Sequence, residues 1–278
     1  MTPAQLSRTV LHTVRRAVES GELGDVPAGA VPEPVVVESP PRRGAGDYAV
    51  SVAFPLAKAA GMPPLDVARV LQAGLGRQDG IRSVEIAGGG FLNVTLDDRA
   101  GAALVTELSD AGQEYEPGID DPAADIAHWS AATGDDPAAL TVRTARASSL
   151  FRVQYAHARA RALTRNAHDL GFHGDAYADD GSGSGCGNRE QRALLALLAD
   201  HRRICEQAGT TRQAGPHARH LEAVAEAFFD FHDHCPPLPL GDEKPGAAHR
   251  VRLALVEATG AVLAGGLSQL GVSAPAHL

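Results

Sequence analysis

The sequence predicts an α+β protein, with a small N-terminal α+β domain followed by an all-α helical bundle. Two observations carry that reading. Within residues 1–112, segments with the 3.6-residue apolar period of helices alternate with short β-branched runs of period two, whereas every periodic segment beyond residue 138 is helical. Between them, residues 113–137 lose the periodicity and are dominated by acids, proline and glycine, the composition of a linker. The 278 residues therefore divide into 1–112, an acidic linker at 113–137, and 138–278, each flank being long enough to bury its own core.

In the first region, "TPAQLSRTVLHTVRRAVESGEL" places Leu6, Val10, Leu11, Val14 and Val18 on one helical stripe, with Gly21 available to end the helix. "VPEPVVVES" reads as a short strand, and "PPRRGAGDY" as a turn. "DYAVSVAFPLAKAAG" continues as a second helix in which Pro55 should kink or interrupt the pattern, with Asp47 supporting the turn before it. "PPLDVARVLQAGL" is a third helix with Pro64 near its start. "IRSVEIAGGGFLNVTLD" gives two β-segments hinged at Gly88 to Gly90, with Phe91, Asn93 and Thr95 on the face opposite Leu92, Val94 and Leu96. Within the linker, Trp129 is a candidate to dock on a neighbouring element.

In the second region, residues 148–170 form a helix whose core stripe is Val153, Ala156, Ala160, Leu163, Ala167 and Leu170. Arg152, Tyr155 and Arg159 run along its edge, close enough to share one ligand beside the core. Phosphate with base stacking is one such ligand, and a plainly solvated polar edge is the alternative. "YADDGSGSGCGNRE" is a loop between helices, and its glycines follow no strand, so they do not suit a phosphate cradle. "REQRALLALLADHRRICEQA", "PHARHLEAVAEAFFDFHDHC" and "AAHRVRLALVEATGAVLAGGLSQLG" complete the bundle.

A formal net charge of -9 excludes a generally basic nucleic-acid coat. Residues 141–168 nonetheless hold six arginines, Arg165 among them, and no acid, so a polyanion site should centre there. Cys186, Cys205 and Cys235 are odd in number and lack short paired spacing, which argues against a disulfide framework or a zinc ribbon and suits a reducing compartment. No signal-peptide pattern opens the chain and no run of about 18 apolar residues occurs, so a cytoplasmic, soluble protein without membrane or DNA partners is expected. "HDHC" suggests a metal, but His232 and His234 lie two apart on a helix and point away from each other, so no metal or other cofactor is expected. His157 reads as a packed helix residue. No nucleophile elbow is present.

Several segments together resemble the arginyl-tRNA synthetases. "GDYAVSVAFPLAKAAG" and "VEIAGGGFLNVTL" are similar to that family's N-terminal additional domain, which contacts the tRNA elbow. "FRVQYAHARARAL", "FFDFHDHCPPL" and the terminal stretch beginning "HRVRLALVEATG" are similar to its helical, DALR-type anticodon-binding domain. The resemblance implies that Tyr155 and Arg159 lie against the anticodon loop, stacking on a base and binding phosphate or a base edge. It also implies that Phe91 and Asn93 contact the D-loop. His232 stands where the family has a tyrosine shaping the anticodon pocket, and Leu278 where its last residue is methionine. The DALR stretch itself is degenerate, its nearest match being "PAALTVR" at 137–143.

The family's catalytic motifs, of the H-x-G-H and K-M-S-K types, do not occur, and no lysine lies between Lys58 and Lys244. A nucleotide-binding domain needs on the order of 100 residues where the linker offers 25. The expectation is a non-enzymatic tRNA-binding protein with arginine tRNA as its partner, gripping elbow and anticodon through Phe91, Asn93, Arg152, Tyr155, Arg159, Arg165, His232 and Leu278. The alternatives are a protein-interaction module that binds a genuine synthetase, or an enzyme acting on charged tRNA, for which no nucleophile is evident.

Overall fold

The computed structural model describes the chain apart from residues 2, 25, 34, 39–45, 113–120 and 179–188. Two compact units, Met1–Gly101 and Ala102–Leu278, make up the fold.

The first unit is α+β. Helix α1 (Pro3–Glu19) buries Leu6, Val10 and Val14, the inner part of the expected stripe, while Leu11 and Val18 are only half-buried. Strands β1 (Val37–Glu38), β2 (Tyr48–Val50), β3 (Ile81–Ala87) and β4 (Phe91–Leu96) form one antiparallel sheet of order β1-β2-β4-β3. Helices α2 (Ala53–Ala60) and α3 (Pro64–Leu75) precede the β3–β4 hairpin, and α3 packs on both α1 and the sheet through Val67, Leu71 and Leu75.

One expectation is corrected here. Residues Tyr48–Val50, read as the start of the second helix, are instead a strand paired with β4. Asp47 accounts for the difference. Its N–H donates to the Val94 carbonyl at 2.9 Å and its carboxylate accepts from the Leu96 N–H at 2.7 Å, which extends the ladder. The helix then begins at Ala53, so Pro55 falls in its first turn, where the missing N–H would have no helical partner anyway, and causes no break. Most of the turn expected at residues 40–48 lies outside the described residues.

The hairpin between β3 and β4 turns on Gly88 and Gly89, both with positive φ. At Gly90 the requirement is space, because a Cβ there would stand 3.0 Å from the Phe54 ring.

The second unit is helical. Most of α4 (Asp98–Gly112) belongs to it, with α5 (Pro122–Thr133), α6 (Pro137–Leu140), α7 (Ser149–Asp169), α8 (Arg189–Thr211), α9 (Gly215–His234) and α10 (Ala247–Gln269). Helix α10 packs on α7, α8 and α9. Where α7 meets α10, a Cβ on Gly260 would sit 3.5 Å from that of Ala160, an ordinary van der Waals contact that alanine could also make. Among the described residues α10 alone is long and apolar enough to cross a membrane by length and composition, and 67% of its most apolar window is buried inside the fold.

The expected linker is the second correction. Its described part contains α5 and the first residue of α6, the former capped by Asp121, whose side chain accepts from the Ala123 and Ala124 N–H groups, and closed by Gly134 in the left-handed region. Trp129 is fully buried in the helical core. Residues 113–120 lie outside the described residues, as does most of the loop expected at 177–190.

Candidate nucleic-acid interface

Helix α7 has nearly the span the sequence indicates. Ser148 caps it by accepting from the Phe151 N–H at 3.1 Å, and Leu170 is the C-cap residue. The stripe Val153, Ala156, Ala160, Leu163 and Ala167 is buried as expected, but Leu170 is exposed because the chain has already left the helix there. The N-terminal turn is held from α5. The Trp129 indole N–H donates to Ser149 Oγ at 2.8 Å, and that hydroxyl donates to Asp135 Oδ2 at 2.5 Å.

Along the outer edge lies a row of aromatic rings. Tyr155, 40% exposed, is stacked between Phe151 of its own helix at 5.8 Å and Phe229 of α9 at 5.7 Å, with interplanar angles of 7° and 24°. The Arg143 guanidinium sits 5.9 Å over the Phe151 ring. Sequence reasoning singled out Tyr155, and Arg143 as one of the six arginines of 141–168, but neither Phe151 nor Phe229. Phe151 precedes Tyr155 by four positions, a spacing that could have revealed it.

The arginines of this region differ in what they face. Arg159 Nη2 lies 3.3 Å from His232 Nε2, joining two expected site residues into one polar group beside the aromatic row. Arg152 faces inward. Its Nε donates to the Ala145 carbonyl and its Nη1 is 2.8 Å from Glu226 and 3.8 Å from Glu222, so its charge is already compensated. Arg152→Ala should therefore loosen the α7–α9 contact and lower stability more than Arg159→Ala does, which denaturant unfolding of the two variants checks.

The C-terminal tail is tied back onto α7. Buried Asp125 accepts from the Ser273 N–H at 2.7 Å, from the Ser273 hydroxyl, and from the Gln154 amide at 2.9 Å. His157 Nδ1 lies 3.0 Å from the Pro275 carbonyl, and burial lowers its pKa to about 4, only partly offset by that carbonyl, so the ring is neutral at pH 7. Arg165 reaches the Ala276 carbonyl and His277 Nδ1, both at 3.4 Å. Leu278 is consequently presented, half-exposed, at the end of a fastened segment.

In the sheet unit the two expected residues separate. Phe91 is 42% exposed and packs edge-on against Phe54 at 5.0 Å, whereas Asn93 is only 8% exposed, between Ala49 and Glu85 in the ladder. Phe91 thus offers a surface for stacking and Asn93 is largely enclosed. His232 and His234, considered together as metal ligands, are turned to different partners, His234 Nδ1 lying 2.8 Å from the Asp230 carbonyl of its own helix.

Comparison with known proteins accounts for both units. Residues 5–96 match the arginyl tRNA synthetase N terminal domain and residues 153–278 match the DALR anticodon binding domain. Both units thus resemble domains of arginyl-tRNA synthetases. It is 48% identical over 115 residues to the arginine–tRNA ligase of Kineococcus radiotolerans and 46% identical over 115 residues to that of Renibacterium salmoninarum. Each alignment covers 41% of this chain and 21% of the ligase, so the part of this chain that aligns corresponds to about a fifth of the length of those curated proteins. The arginyl-tRNA synthetase structure from Thermus thermophilus aligns with 77% of this chain and 39% of its own, at 19% identity and a TM-score of 0.40. Tyr155, Arg159, Arg165, His232 and Leu278 fall inside the matched anticodon-binding segment, and Phe91 and Asn93 inside the N-terminal one. Arg143, Phe151 and Arg152 precede the matched segment, as do α5 and α6.

Proposed function

We propose that this chain binds tRNA, arginine tRNA in the first place, and does not aminoacylate it. The observation that carries the reading is the aromatic row Phe151–Tyr155–Phe229 beside the Arg159–His232 pair, on the helix where a DALR domain is matched. Stacked rings with an exposed central member offer a surface for an unpaired base, and an adjacent guanidinium offers a phosphate or base-edge contact. Leu278 and Arg165 extend this surface at the fastened tail, and exposed Phe91 gives the N-terminal unit a stacking group for the tRNA elbow.

Only N-terminal and anticodon-binding domains are matched, and neither synthetase nucleotide-binding motif occurs in the sequence. The purified chain should show no arginine-dependent ATP–pyrophosphate exchange. For binding, Tyr155→Ala should weaken affinity for an arginine-tRNA anticodon stem-loop by about 1–3 kcal/mol with the helical content unchanged. An unchanged affinity would remove the aromatic row from the interface.

The second reading is a docking module for a partner protein such as a complete synthetase. Arg152, held by Glu222 and Glu226, favours it, because those acids place negative charge next to the aromatic row. That reading requires capture of the partner without salt-sensitive RNA binding.

A further inference from the structure

Away from the α7 edge, the α8–α9 hairpin brings together a set of nitrogen and sulfur donors. The hairpin reverses at Arg212, and across it His201 and Cys205 of α8 face His217 of α9, one donor atom from each lying within 4.8 Å of the others. Cys205 Sγ is 3.4 Å from His201 Nε2 and 3.5 Å from His217 Nε2. In a tetrahedral zinc site, metal–sulfur and metal–nitrogen bonds of ordinary length place sulfur and nitrogen about 3.6 Å apart. The two sulfur–nitrogen separations are those of such a site, and the His201 and His217 donor atoms lie within 4.8 Å of each other. In the metal-free chain the thiol can donate to one imidazole nitrogen while its sulfur accepts an N–H from the other, and on ion binding both contacts become shared ligation.

A second observation concerns His220. Its ring lies 5.5 Å from that of His201 at an interplanar angle of 24°, the residue is 5% exposed, and its buried Nε2 has no hydrogen-bond partner. Buried ring nitrogens are nearly always partnered, so this atom has unused ligand capacity, although it lies outside the three whose donor atoms are all within 4.8 Å and would have to swing toward them. The same pocket is closed by α10 at Gly266, where a Cβ would come within 3.1 Å of His217 Nε2 and 2.4 Å of Leu221. Lack of a side chain at Gly266 is what lets His217 lie there.

We propose that His201, Cys205 and His217, with His220 as the fourth donor, form a structural site for a divalent zinc ion that pins the α8–α9 hairpin. A thiolate with imidazoles selects a borderline-soft cation over calcium or magnesium, and four protein donors leave no open position for catalysis. On binding, the Cys205 thiol releases its proton to solvent and the thiolate and neutral imidazoles donate lone pairs to the ion, with no change of oxidation state. The signal in the sequence is H-x3-C-x11-H-x2-H, which has no paired cysteines and so does not look like a zinc ribbon.

The test uses the full chain, stripped with a chelator and titrated with cobalt(II) and then zinc(II). The expected result is one cobalt ion per chain with thiolate-to-metal charge-transfer absorption and tetrahedral visible bands, bleached by stoichiometric zinc, and a raised thermal midpoint in zinc. Cys205→Ser should abolish the charge-transfer absorption and Cys186→Ser should leave it. His217→Gln should weaken cobalt binding at least about tenfold. Should Cys205→Ser fail to fold, alkylation of the wild-type chain mapped by mass spectrometry replaces it, zinc being expected to slow modification of Cys205. Absence of the charge-transfer band in the wild-type chain, its survival in Cys205→Ser, or Cys205 alkylation indifferent to zinc would overturn the proposal.

Discussion

Replacing Trp129 with alanine lowers the unfolding free energy of the helical unit by about 3–5 kcal/mol, the cost of deleting a fully buried large aromatic ring. The ring is part of the same core as Leu150, Phe228 and Phe231. Its N–H also donates to Ser149 Oγ at the start of α7, so the variant loses a bond at the helix end that carries Phe151 and Tyr155. Denaturant unfolding followed by circular dichroism is the measurement, because Trp129 is the sole tryptophan and fluorescence would be lost with it. If residues 122–137 were a solvated linker, the same substitution would change stability by no more than about 0.5 kcal/mol.

Acidification should destabilise the helical unit as pH falls from about 6.5 toward 4. His157 carries the clearest contribution, since its folded-state pKa is about 4 against an ordinary value of 6.5. Between those limits the unfolded chain binds a proton that the folded chain refuses, so stability rises with pH across the window and is complete above it. A separation of that size corresponds to on the order of 3 kcal/mol. In the metal-free chain His201 and His220, lowered to about 3 and about 4, and His217, also lowered, act with the same sign, burial being the first cause in each. His157→Gln removes one titration while keeping an N–H for the Pro275 carbonyl. Unfolding free energies measured across the window should then lose about one proton's worth of pH slope. An unaltered slope would mean that His157 is already accessible to protons in the folded state.

Much of the helical unit is legible in the sequence because its signals are local. Ser148 before an apolar-periodic run marks α7 to within a residue at each end, and the stripe from Val153 to Ala167 follows from periodicity alone. Helix α5 is also signalled locally, but its signals have two meanings. Asp121, Pro122 and Gly134 suit a linker by composition, yet in that order they are an N-cap, a first helical residue and a left-handed cap. What distinguishes the two is Trp129, whose burial depends on α7 and the rest of the core rather than on its own neighbours.

The candidate site divides in the same way. Tyr155 and Arg159 share an edge by helical geometry, which spacing reveals. Phe229 and His232 reach that edge from α9, more than seventy positions later, and the ion pairs that occupy Arg152 come from there too. Asn93 lies on the strand face that alternation assigns to it, but sheet neighbours on both sides enclose it, and alternation carries no information about that. The strand at Tyr48–Val50 depends similarly on pairing with β4, a partner more than forty residues away.

The measurement that tests the central claim most directly is equilibrium binding of the purified chain to an arginine tRNA, the same tRNA with a substituted anticodon, and a non-cognate tRNA, each at two salt concentrations. The expected result is salt-sensitive binding that prefers the first tRNA and weakens with either Tyr155→Ala or Arg159→Ala. Undetectable binding of all three at low salt would contradict it and leave the partner-protein reading in its place.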